Sequence, residues 1–390
     1  MFKKKRIAII GSTGSIGDSA LKVVSKFPKY FDVALLCCNS NYRKIIKQIQ
    51  KFSPKNVYIN DKKTYDLIVK KKFSKKINFF NNLVNLNKAL ELEEKFDKVI
   101  LGVSSIHGLE YSFFFLKYSN EILVANKESI ICGGNVLLNK ANFYNCKITS
   151  IDSEHYCLSQ SLKDIDIKNI DTIFLTASGG ALLEKRGSFF SKPKLKDVLK
   201  HPNWKMGKKI TVDSATLVNK VFEIIEAHIL FKIPFDKIKI KIHKESLVHS
   251  AILTKDGLVR LVAHDTSMLI PIRNSLFDEK FFFDHKNHFK RKNNFTFSFD
   301  EKKLLKFKIL TISNKVFKYG HSGWIIFNVL NDYLVNKYLN KEIFFYEIVE
   351  KLIKILNSKT LINYCKNKKI RNINNIKSVI KFGNNISRTL

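Results

Sequence analysis

Three acidic side chains that are far apart in the sequence have the types and spacing to hold one divalent metal ion. Asp152 and Glu154 stand two residues apart in IDSEH and share a face if the apolar strand before them continues, and Glu223 belongs to a predicted helix. Neighbouring carboxylates withdrawn from water repel each other, whereas a bound cation keeps both ionised. Three oxygen ligands without a thiolate suit Mg²⁺ or Mn²⁺ and argue against structural zinc. The alternative, salt bridges to the many lysines, remains open.

The helix predicted around Glu223 offers further polar side chains. In VDSATLVNKVFEIIEAHILF, Asp213 or Ser214 is expected to cap the helix, and apolar residues form a wide stripe along one side. Asn219, Lys220 and Glu223 are three or four residues apart, so they share another face. One wall of a site could therefore present an amide, an ammonium and a carboxylate, although a polar helix face is more often simply solvated.

A glycine-rich turn, GSTGSIG, stands between a predicted strand and a predicted amphipathic helix near the start of the chain. Gly11, Gly14 and Gly17 would let the backbone approach a pyrophosphate, whose charge the N–H groups and the positive end of the helix dipole would stabilise. The spacing is G-x-x-G-x-x-G rather than the commoner G-x-G-x-x-G, and the alternative is a plain tight turn. The surrounding strand and helix favour dinucleotide binding.

The end of the next predicted strand indicates which dinucleotide is bound. An acid at this position selects NAD, whereas a cationic side chain accommodates the 2′-phosphate of NADP. The segment CCNSNYRK contains no acid; Asn41 can donate hydrogen bonds, and Arg43 or Lys44 could meet a phosphate. The sequence therefore favours NADPH over NADH.

Two further segments follow predicted strands. VANKES places Asn126, Lys127 and Glu128 outside the carboxyl end of a strand, where sheets of this kind bind ligands, although a solvated turn is equally plausible. TASGG supplies Ser178 and glycine N–H groups that could cradle an anion.

The loop KHPNWKMGKK has the composition of a lid. It places His201, Trp204 and Met206 between a proline and a glycine, as a mobile loop with an apolar cover requires. A single Trp or His in a loop more often serves packing, and it is the neighbouring candidates that favour function here.

Hydrophobic patterns predict the elements that position these residues. The first βαβ unit and the later short apolar runs, separated by helix-length segments, are typical of a parallel sheet covered on both faces. The predicted fold is α/β, with residues 1–150 forming a doubly wound, Rossmann-type NADPH-binding domain. Residues 151–283 are predicted to form an α+β catalytic and metal-binding domain, 284–300 a linker, and 301–390 a small helical C-terminal domain.

The composition argues against several classes of protein. A chain of 390 residues with 45% hydrophobic residues can bury a large core, and no apolar stretch is long enough to cross a bilayer. The net charge of +35 is spread along the chain without a basic patch or nucleic-acid-binding motif. Six cysteines without a C-x-x-C pair and a charged start that runs directly into a strand predict a bacterial-type cytoplasmic protein.

Taken together, the segments GSTGSIG, ANKES, DSEH, SGG, HPNW-x-MG and DSAT-x-x-NK-x-x-E closely resemble, in this order and over nearly the whole chain, the 1-deoxy-D-xylulose 5-phosphate reductoisomerase family. The resemblance implies conversion of 1-deoxy-D-xylulose 5-phosphate to 2-C-methyl-D-erythritol 4-phosphate in the non-mevalonate route to isoprenoids. It implies NADPH and a divalent cation, a metal-held rearrangement to a branched aldehyde, and hydride reduction. It also implies a homodimer that acts on a small sugar phosphate. Neither a nucleic acid nor a membrane is expected as a partner.

The resemblance also assigns roles residue by residue. The implied metal ligands are Asp152, Glu154 and Glu223. The implied catalytic residues are Lys127, Asp152, Glu154, His201 and Glu223. The implied substrate contacts, several of which would hold the phosphate, are Lys127, Ser153, Glu154, Ser178, His201, Trp204, Ser214, Asn219, Lys220 and Glu223. The implied NADPH contacts are Thr13, Gly14, Ser15, Ile16, Asn39, Ser40, Asn41, Asn126, Glu128 and Gly207.

The chain departs from the family pattern at a few positions. Ala177 replaces a glycine before Ser178, and Ser40 stands where Lys or Arg is frequent, so that Arg43 would have to compensate beside the 2′-phosphate. In NVLND the asparagines of a family NAANE are kept, but the acid is Asp332. These changes affect expected affinity and stability and leave the implied catalytic set intact.

Two other functions would fit parts of the sequence. Another two-domain NAD(P)-dependent oxidoreductase would use the acids in salt bridges and would be active without added metal. A basic nucleic-acid-binding protein would bind strands in a strongly salt-dependent way and would bind no cofactor.

Overall fold

The computed structural model describes residues 3–73, 76–185, 192–277 and 296–388. The chain divides into two compact units, each assembled from several stretches of sequence. Unit 1 comprises Met1–Ser129, Leu137–Asp152 and Met268–Phe283, and unit 2 comprises Ile130–Val136, Ser153–Ser267 and Asp284–Leu390.

Unit 1 is built on a parallel sheet of seven strands in the order β4-β3-β2-β1-β5-β6-β7. The strands are β1 Lys5–Ile10, β2 Phe31–Cys38, β3 Asn56–Ile59, β4 Asn78–Phe80, β5 Phe96–Leu101, β6 Ser119–Val124 and β7 Lys147–Ser150. The strand order reverses between β1 and β5, and open α/β sheets bind ligands outside the carboxyl ends of the strands at such a point. This topology confirms the prediction of a doubly wound, Rossmann-type sheet.

Helices connect consecutive strands of this sheet. They are α1 Ser15–Lys26, α2 Tyr42–Phe52, α3 Lys62–Val69, α4 Leu83–Leu90, α5 Gly108–Phe115 and α6 Lys127–Phe143. The central strands are buried, with Ile7, Ile9 and Ile100 fully inaccessible, because apolar side chains fill both faces of a covered parallel sheet. Helix α6 is kinked at Gly134, where φ is 47°, and the stretch around the kink belongs to unit 2.

Unit 2 contains a mixed sheet of four strands in the order β11-β10-β8-β9. Its strands are β8 Ile170–Ala177, β9 Ile238–Ile242, β10 Val248–Thr254 and β11 Val259–Ala263. The helices that accompany this sheet are α7 Ser153–Ser161, α8 Leu195–Val198, α9 Lys208–Thr216 and α10 Val218–Phe231. Leu158 of α7, Ile173 of β8 and Ile224 of α10 are buried in one core, which gives the α+β arrangement that the period-two pattern predicts.

After β11 the chain returns to unit 1 as helix α11, Leu269–Leu276. Phe277 at its end packs edge-to-face against Phe27 and Phe31, with ring centroids 5.1 and 4.8 Å apart. Residues 268–283 were assigned by sequence to the catalytic stretch 151–283, whereas their described part packs with unit 1. The division into four sequence segments stays a prediction.

The strand before the acid pair ends earlier than the sequence suggests. β7 ends at Ser150, and Ser153 already begins α7, so Asp152 lies in a short connection and Glu154 in the first helical turn. The expectation that Asp152 and Glu154 share a strand face is therefore wrong. A carboxylate in the first turn of a helix is stabilised by the helix dipole, which favours ending the strand here.

The single helix predicted from Asp213 onwards is two helices. α9 ends at Thr216 and α10 begins at Val218, because Leu217 adopts a left-handed conformation with φ 64°. The Thr216 hydroxyl bonds back to the Val212 carbonyl at 3.2 Å and so competes with the backbone pattern of the helix. Asp213 therefore lies inside α9 and caps nothing.

The same correction applies to Ser214, which also lies inside α9, whose N-terminal cap residue is Gly207.

The C-terminal part of unit 2 is helical, as predicted. Its helices are α12 Leu310–Lys318, α13 Gly320–Leu339, α14 Phe345–Leu356, α15 Lys359–Asn367 and α16 Ile373–Ser387. Helix α13 is the central one and packs against the other four. Of the predicted linker 284–300, residues 284–295 lie outside the described residues, and Asp300 pairs with Ile242 in an antiparallel bridge.

Candidate active site

The glycine turn after β1 is packed so tightly that two of its glycines cannot carry a side chain. A Cβ atom on Gly17 would lie 2.5 Å from the Gly11 carbonyl oxygen and from Ser12 Cα. Gly11 has φ 80°, and a Cβ atom there would lie 3.0 Å from the carbonyl of Gly102. The turn therefore brings α1 close to β1 and leaves bare backbone at the switch point of the sheet.

Of the two cationic residues that follow β2, Lys44 contacts the glycine turn and Arg43 is exposed. The Lys44 ammonium donates to the Thr13 carbonyl at 2.9 Å and pairs with the Asp18 carboxylate. Asn41 caps α2 by accepting a hydrogen bond from the Lys44 N–H. The Arg43 side chain is exposed. Four further predicted NADPH contacts are exposed on the same end of unit 1: Gly14, Ser15, Asn39 and Ser40.

The segment after β6 places a buried ammonium beside an acid. Asn126 caps α6 by accepting from the Ser129 N–H at 2.9 Å and donates to the Ser105 carbonyl at 2.7 Å. Lys127 is 4% exposed, and its Nζ lies 2.9 Å from Asp152 Oδ2. A buried ammonium requires such a counter-charge, so the ends of β6 and β7 are joined by an ion pair.

In unit 2, two carboxylates from different helices meet one ammonium group. Lys220 Nζ of α10 lies 3.0 Å from Glu154 Oε1 of α7 and also pairs with Glu223, one turn along its own helix. The Ser153 hydroxyl donates to Glu154 Oε2 at 2.6 Å, and the Asn219 amide donates to Glu223 Oε1. The structure thus brings together five of the residues that the sequence put forward.

Burial makes this cluster electrostatically strong. Lys220 is 3% exposed and Glu223 is 1% exposed. Burial lowers the pKa of Lys220, but attraction to Glu154 and Glu223 outweighs that effect and leaves the pKa above its ordinary value. Asp152 precedes Glu154 by two residues, so chain connectivity keeps their Cα atoms within about 7 Å. The donor chemistry, carboxylate oxygens without thiolate, fits a divalent hard cation.

A serine and a histidine face each other across two loops of unit 2. His201 Nε2 lies 2.9 Å from the Ser178 hydroxyl, while its Nδ1 accepts the backbone N–H groups of Asn203 and Trp204 at 3.1 and 3.0 Å. Because Nδ1 is an acceptor, the proton of the neutral ring is on Nε2 and is donated to Ser178. Burial lowers the pKa of His201 to about 4, although Glu154 acts in the opposite direction.

This lowered pKa predicts a stability change with pH. The unfolded chain binds a proton at His201 near pH 6.5, whereas the folded protein binds it only near pH 4. The contribution of His201 to stability is therefore complete above about pH 6.5 and falls as the pH drops towards 4. Denaturant unfolding of the wild type and of His201→Gln between pH 4 and 7 should give a shallower pH dependence in the variant. Identical pH dependences in the two proteins would contradict the assignment.

The Trp204 side chain rests on an aromatic group within unit 2. Its ring packs edge-to-face on His249, with centroids 5.8 Å apart, and His249 stacks on His264 at 4.4 Å. His249 and His264 are 2% and 6% exposed. The Trp204 side chain therefore has a defined packing partner in unit 2, and the role of its loop as a mobile lid stays a prediction.

Helix α9 and the glycine loop after β8 lie in direct contact. A Cβ atom on Gly180 would lie 2.8 Å from the Ser214 carbonyl oxygen and from Ala215 Cα. The Gly180 N–H donates to the Ser178 hydroxyl at 3.1 Å. Ser178 and Ser214 are thus held on adjoining segments, and both are half-buried.

The remaining predicted residues are placed as follows. Thr13, Ile16 and Glu128 are half-buried residues of unit 1. Gly207 is exposed at the start of α9, with nothing within 4 Å of a Cβ atom built on it. The predicted contacts thus fall in both units, and their assembly into one site stays a prediction.

Three family models match successive parts of the chain. The 1-deoxy-D-xylulose 5-phosphate reductoisomerase model matches residues 7–134, and the model of the C-terminal domain of that enzyme matches residues 148–231. The model of a DXP reductoisomerase C-terminal domain matches residues 265–387. This chain belongs to the 1-deoxy-D-xylulose 5-phosphate reductoisomerase family. The resemblance inferred from the sequence is therefore confirmed.

Relatives within the reductoisomerase family match over almost their full length. The 1-deoxy-D-xylulose 5-phosphate reductoisomerase of Pelagibacter ubique is 39% identical over 381 residues, which are 96% of this chain and 96% of the relative. The reductoisomerase of Clostridium novyi is 34% identical, with 95% of each chain covered.

Solved reductoisomerase structures share the fold. A DOX-P reductoisomerase in complex with NADPH, fosmidomycin and magnesium is 26% identical, with a TM-score of 0.89 over 99% of this chain and 98% of that chain. The Zymomonas mobilis reductoisomerase in complex with NADPH is 22% identical and has a TM-score of 0.84 over the same shares. Among the described residues of this chain, none of the helices has the length and apolarity to span a membrane.

Sequence reasoning missed a buried pair beside the carboxylates. His155 Nδ1 lies 3.3 Å from Glu226 Oε2, and its Nε2 lies 3.0 Å from the Glu223 carbonyl oxygen. His155 is part of the segment DSEH, so the sequence shows that it adjoins Glu154. The sequence gives no sign of its partner Glu226 on α10. The imidazole joins α7 to α10 and helps to fix the distance between Glu154 and Glu223.

Proposed function

We propose that this chain reduces and rearranges 1-deoxy-D-xylulose 5-phosphate to 2-C-methyl-D-erythritol 4-phosphate, using NADPH and a divalent cation. The observation that carries the proposal is the meeting of Glu154, Lys220 and Glu223 inside a chain that is 39% identical to a reductoisomerase over almost its whole length. The related structure with NADPH, fosmidomycin and magnesium supports the same cofactor and metal for this chain.

The glycine turn and its neighbours are proposed to bind NADPH. Bare backbone at Gly11 and Gly17 allows close approach of the pyrophosphate, and the start of α1 favours its negative charge. Exposed Arg43 is the proposed partner of the 2′-phosphate, because Lys44 is already bound to Thr13 and Asp18. The other proposed contacts are Thr13, Gly14, Ser15, Ile16, Asn39, Ser40, Asn41, Asn126, Glu128 and Gly207.

The proposed metal ligands are Asp152, Glu154 and Glu223, and Mg²⁺ or Mn²⁺ suits their oxygen donors. When bound, the cation would polarise the substrate carbonyl and NADPH would supply the hydride. Lys127 and Lys220 are the ammonium groups in contact with these acids, so each can donate hydrogen bonds to substrate oxygens beside the proposed metal ligands. Their charges also balance the carboxylates in a buried setting.

The substrate phosphate is proposed to bind to hydroxyl, amide, ammonium and imidazole donors of unit 2. His201 keeps its proton on Nε2, so it can donate to an anionic oxygen without carrying a full charge. Ser153 and Trp204 are proposed to contact the rest of the substrate. Trp204 is also proposed to close over the substrate and to exclude water from it. The proposed phosphate donors are Ser178, His201, Ser214, Asn219 and Lys220.

An assay of NADPH oxidation with the sugar phosphate tests the proposed function. We expect turnover only when both the sugar phosphate and Mg²⁺ or Mn²⁺ are present. Chelation of the metal should abolish turnover, and an excess of the ion should restore it, because the carbonyl is not polarised without a Lewis acid. Equal rates with and without metal would instead favour a metal-independent NAD(P) oxidoreductase.

We also propose a homodimer formed through β11, the strand at the edge of the unit 2 sheet. Large apolar side chains are exposed on this edge strand, which is unusual for the edge of a sheet. The exposed fractions are 59% for Leu258, which precedes the strand, 59% for Val259 and 39% for Leu261. Pairing of two such edges would cover them. Val259→Lys is expected to shift the protein towards a monomer in light scattering, whereas Leu92→Lys, at an exposed leucine of unit 1, is not. A Val259→Lys dimer as stable as the wild type would argue against this interface.

The cytoplasm is the proposed location, and the domain roles follow the sequence segments. All six cysteines are free and buried, which suits a reducing compartment. Residues 1–150 are proposed to bind NADPH, 151–283 to hold metal and substrate, and 301–390 to support them.

A further inference from the structure

Helix α13 holds helix α9 through a buried network of charged and polar groups in unit 2. The Asp213 carboxylate accepts a hydrogen bond from Asn331 Nδ2 at 2.7 Å and pairs with Lys209 Nζ at 2.9 Å. Lys209 Nζ in turn lies 3.0 Å from Asp332 Oδ1. Asn331 and Asp332 both belong to α13, whereas Lys209 and Asp213 belong to α9, so the network joins two helices that are more than 100 residues apart in sequence.

The network is too deeply buried to be an ordinary surface salt bridge. Asp213 is 1% exposed and Asn331 is fully buried. Lys209 Nζ also lies over the Phe222 ring, 5.4 Å from its centroid, and Phe222 packs against Phe327 of α13. A buried carboxylate needs its partners, so losing one of them destabilises the present position of Asp213 and its helix.

Helix α9 carries part of the proposed phosphate site directly after Asp213. Ser214 is the next residue, and its carbonyl oxygen and Ala215 lie closely against Gly180. The loop at Gly180 carries the Ser178 hydroxyl, which contacts His201 at 2.9 Å. A rotation of α9 would therefore displace Ser214 and the glycine loop together.

We propose that Asn331 and Asp332 are positioning residues for the phosphate subsite, acting through Asp213 and Lys209. They fix the orientation of α9, and thereby the hydroxyl of Ser214 and the glycine loop after β8. Neither residue needs to touch the substrate. The inference rests on the proposed function, because it takes Ser214 and its neighbours as donors to the substrate phosphate. It assigns a role to the NVLND segment that the sequence left without one.

The expected effect is on phosphate recognition rather than on the nucleotide. Donors must be held within a fraction of an ångström to bind an anion well, so a looser α9 lowers the affinity for a phosphate group. Among the proposed NADPH contacts only Gly207 adjoins α9, as its N-cap residue, whereas the contacts of the glycine turn belong to unit 1, so a looser α9 should weaken NADPH binding much less than phosphate binding. A general loss of folding would weaken both ligands.

The experiment compares four variants with the wild type. Asp332→Asn removes one charge at constant shape from a side chain that is 15% exposed, and Asn331→Ala removes the buried donor. Asp332→Glu restores the carboxylate. Asn336→Ala, at an exposed position of the same helix, is the matched control. The measurements are the KM for the sugar phosphate, the inhibition constant of inorganic phosphate, the Kd for NADPH and the far-UV circular dichroism.

We expect Asp332→Asn and Asn331→Ala to raise KM and the phosphate inhibition constant about tenfold or more, with a much smaller change in the Kd for NADPH. Asp332→Glu should recover most of the loss, and Asn336→Ala should resemble the wild type. The inference is overturned if phosphate inhibition is unchanged in the folded variants, if the Kd for NADPH rises in parallel, or if both variants unfold. A wild-type protein without turnover would refute the proposed function instead.

Discussion

Replacing Glu223 by Gln is expected to abolish turnover while NADPH binding persists. The substitution keeps the shape of the side chain but removes an anionic oxygen from the proposed metal ligands and from the contact with Lys220. Loss of the cation removes several kcal/mol of charge stabilisation in the transition state, so kcat/KM should fall by at least about a hundredfold. Steady-state kinetics at saturating Mg²⁺ and fluorescence titration with NADPH measure the two quantities.

Glu226→Gln is the matched control for this prediction. Glu226 lies three residues further along α10 and is equally buried, but its carboxylate faces His155 rather than Lys220. We expect this variant to lose stability and to retain metal-dependent activity. Full activity of Glu223→Gln would refute its role as a metal ligand, and loss of metal dependence in Glu226→Gln alone would move the metal to the His155 side of α10.

Replacing Gly17 by Ala is expected to weaken NADPH binding strongly. A methyl group there would lie 2.5 Å from the Gly11 carbonyl oxygen and from Ser12 Cα, so α1 must move away from β1. The displaced turn would no longer present its backbone to the pyrophosphate, and the Kd for NADPH should rise by at least about tenfold. Overpacking of this kind also costs about 1–3 kcal/mol of folding free energy. Isothermal titration and denaturant unfolding test the two effects.

Ser19→Ala provides the control on the same helix. Its hydroxyl donates to the Ser15 carbonyl, one turn back, at 2.9 Å. This variant should bind NADPH as the wild type does. If Gly17→Ala also binds NADPH normally, the close approach of α1 to β1 is not what holds the nucleotide.

The departures from the family pattern have structural explanations at two positions. Ala177 is the last residue of β8 and is 6% exposed, so its methyl group lies in the core while the turn begins only at the following glycines. Asp332 is shorter than the family glutamate, yet it reaches Lys209 at 3.0 Å. The change at Ser40 leaves Arg43 as the exposed cation of this segment.

Local sequence patterns were sufficient for most of the elements, though not for the end of β7 or the break at Leu217, and for the identity of the family. The glycine spacing between a strand and a helix predicted the turn at the switch point, because a close backbone approach requires glycine whatever surrounds it. Apolar runs predicted the parallel sheet for a similar reason, since both of its faces must be buried. The acids Asp152, Glu154 and Glu223 were recognisable as candidates from their types alone.

Packing between distant segments decided the rest. The position of Lys220 between Glu154 and Glu223 depends on how α7 meets α10, and a polar residue on a helix gives no sign of its partner. The sequence also did not predict the break between α9 and α10 at Leu217. The hydrogen bond from Asn331 of α13 to Asp213 of α9 joins residues that are far apart in the sequence. Residue types and spacing encode what a short segment can form, whereas the distance between two side chains far apart in the chain exists only once the core has closed around them.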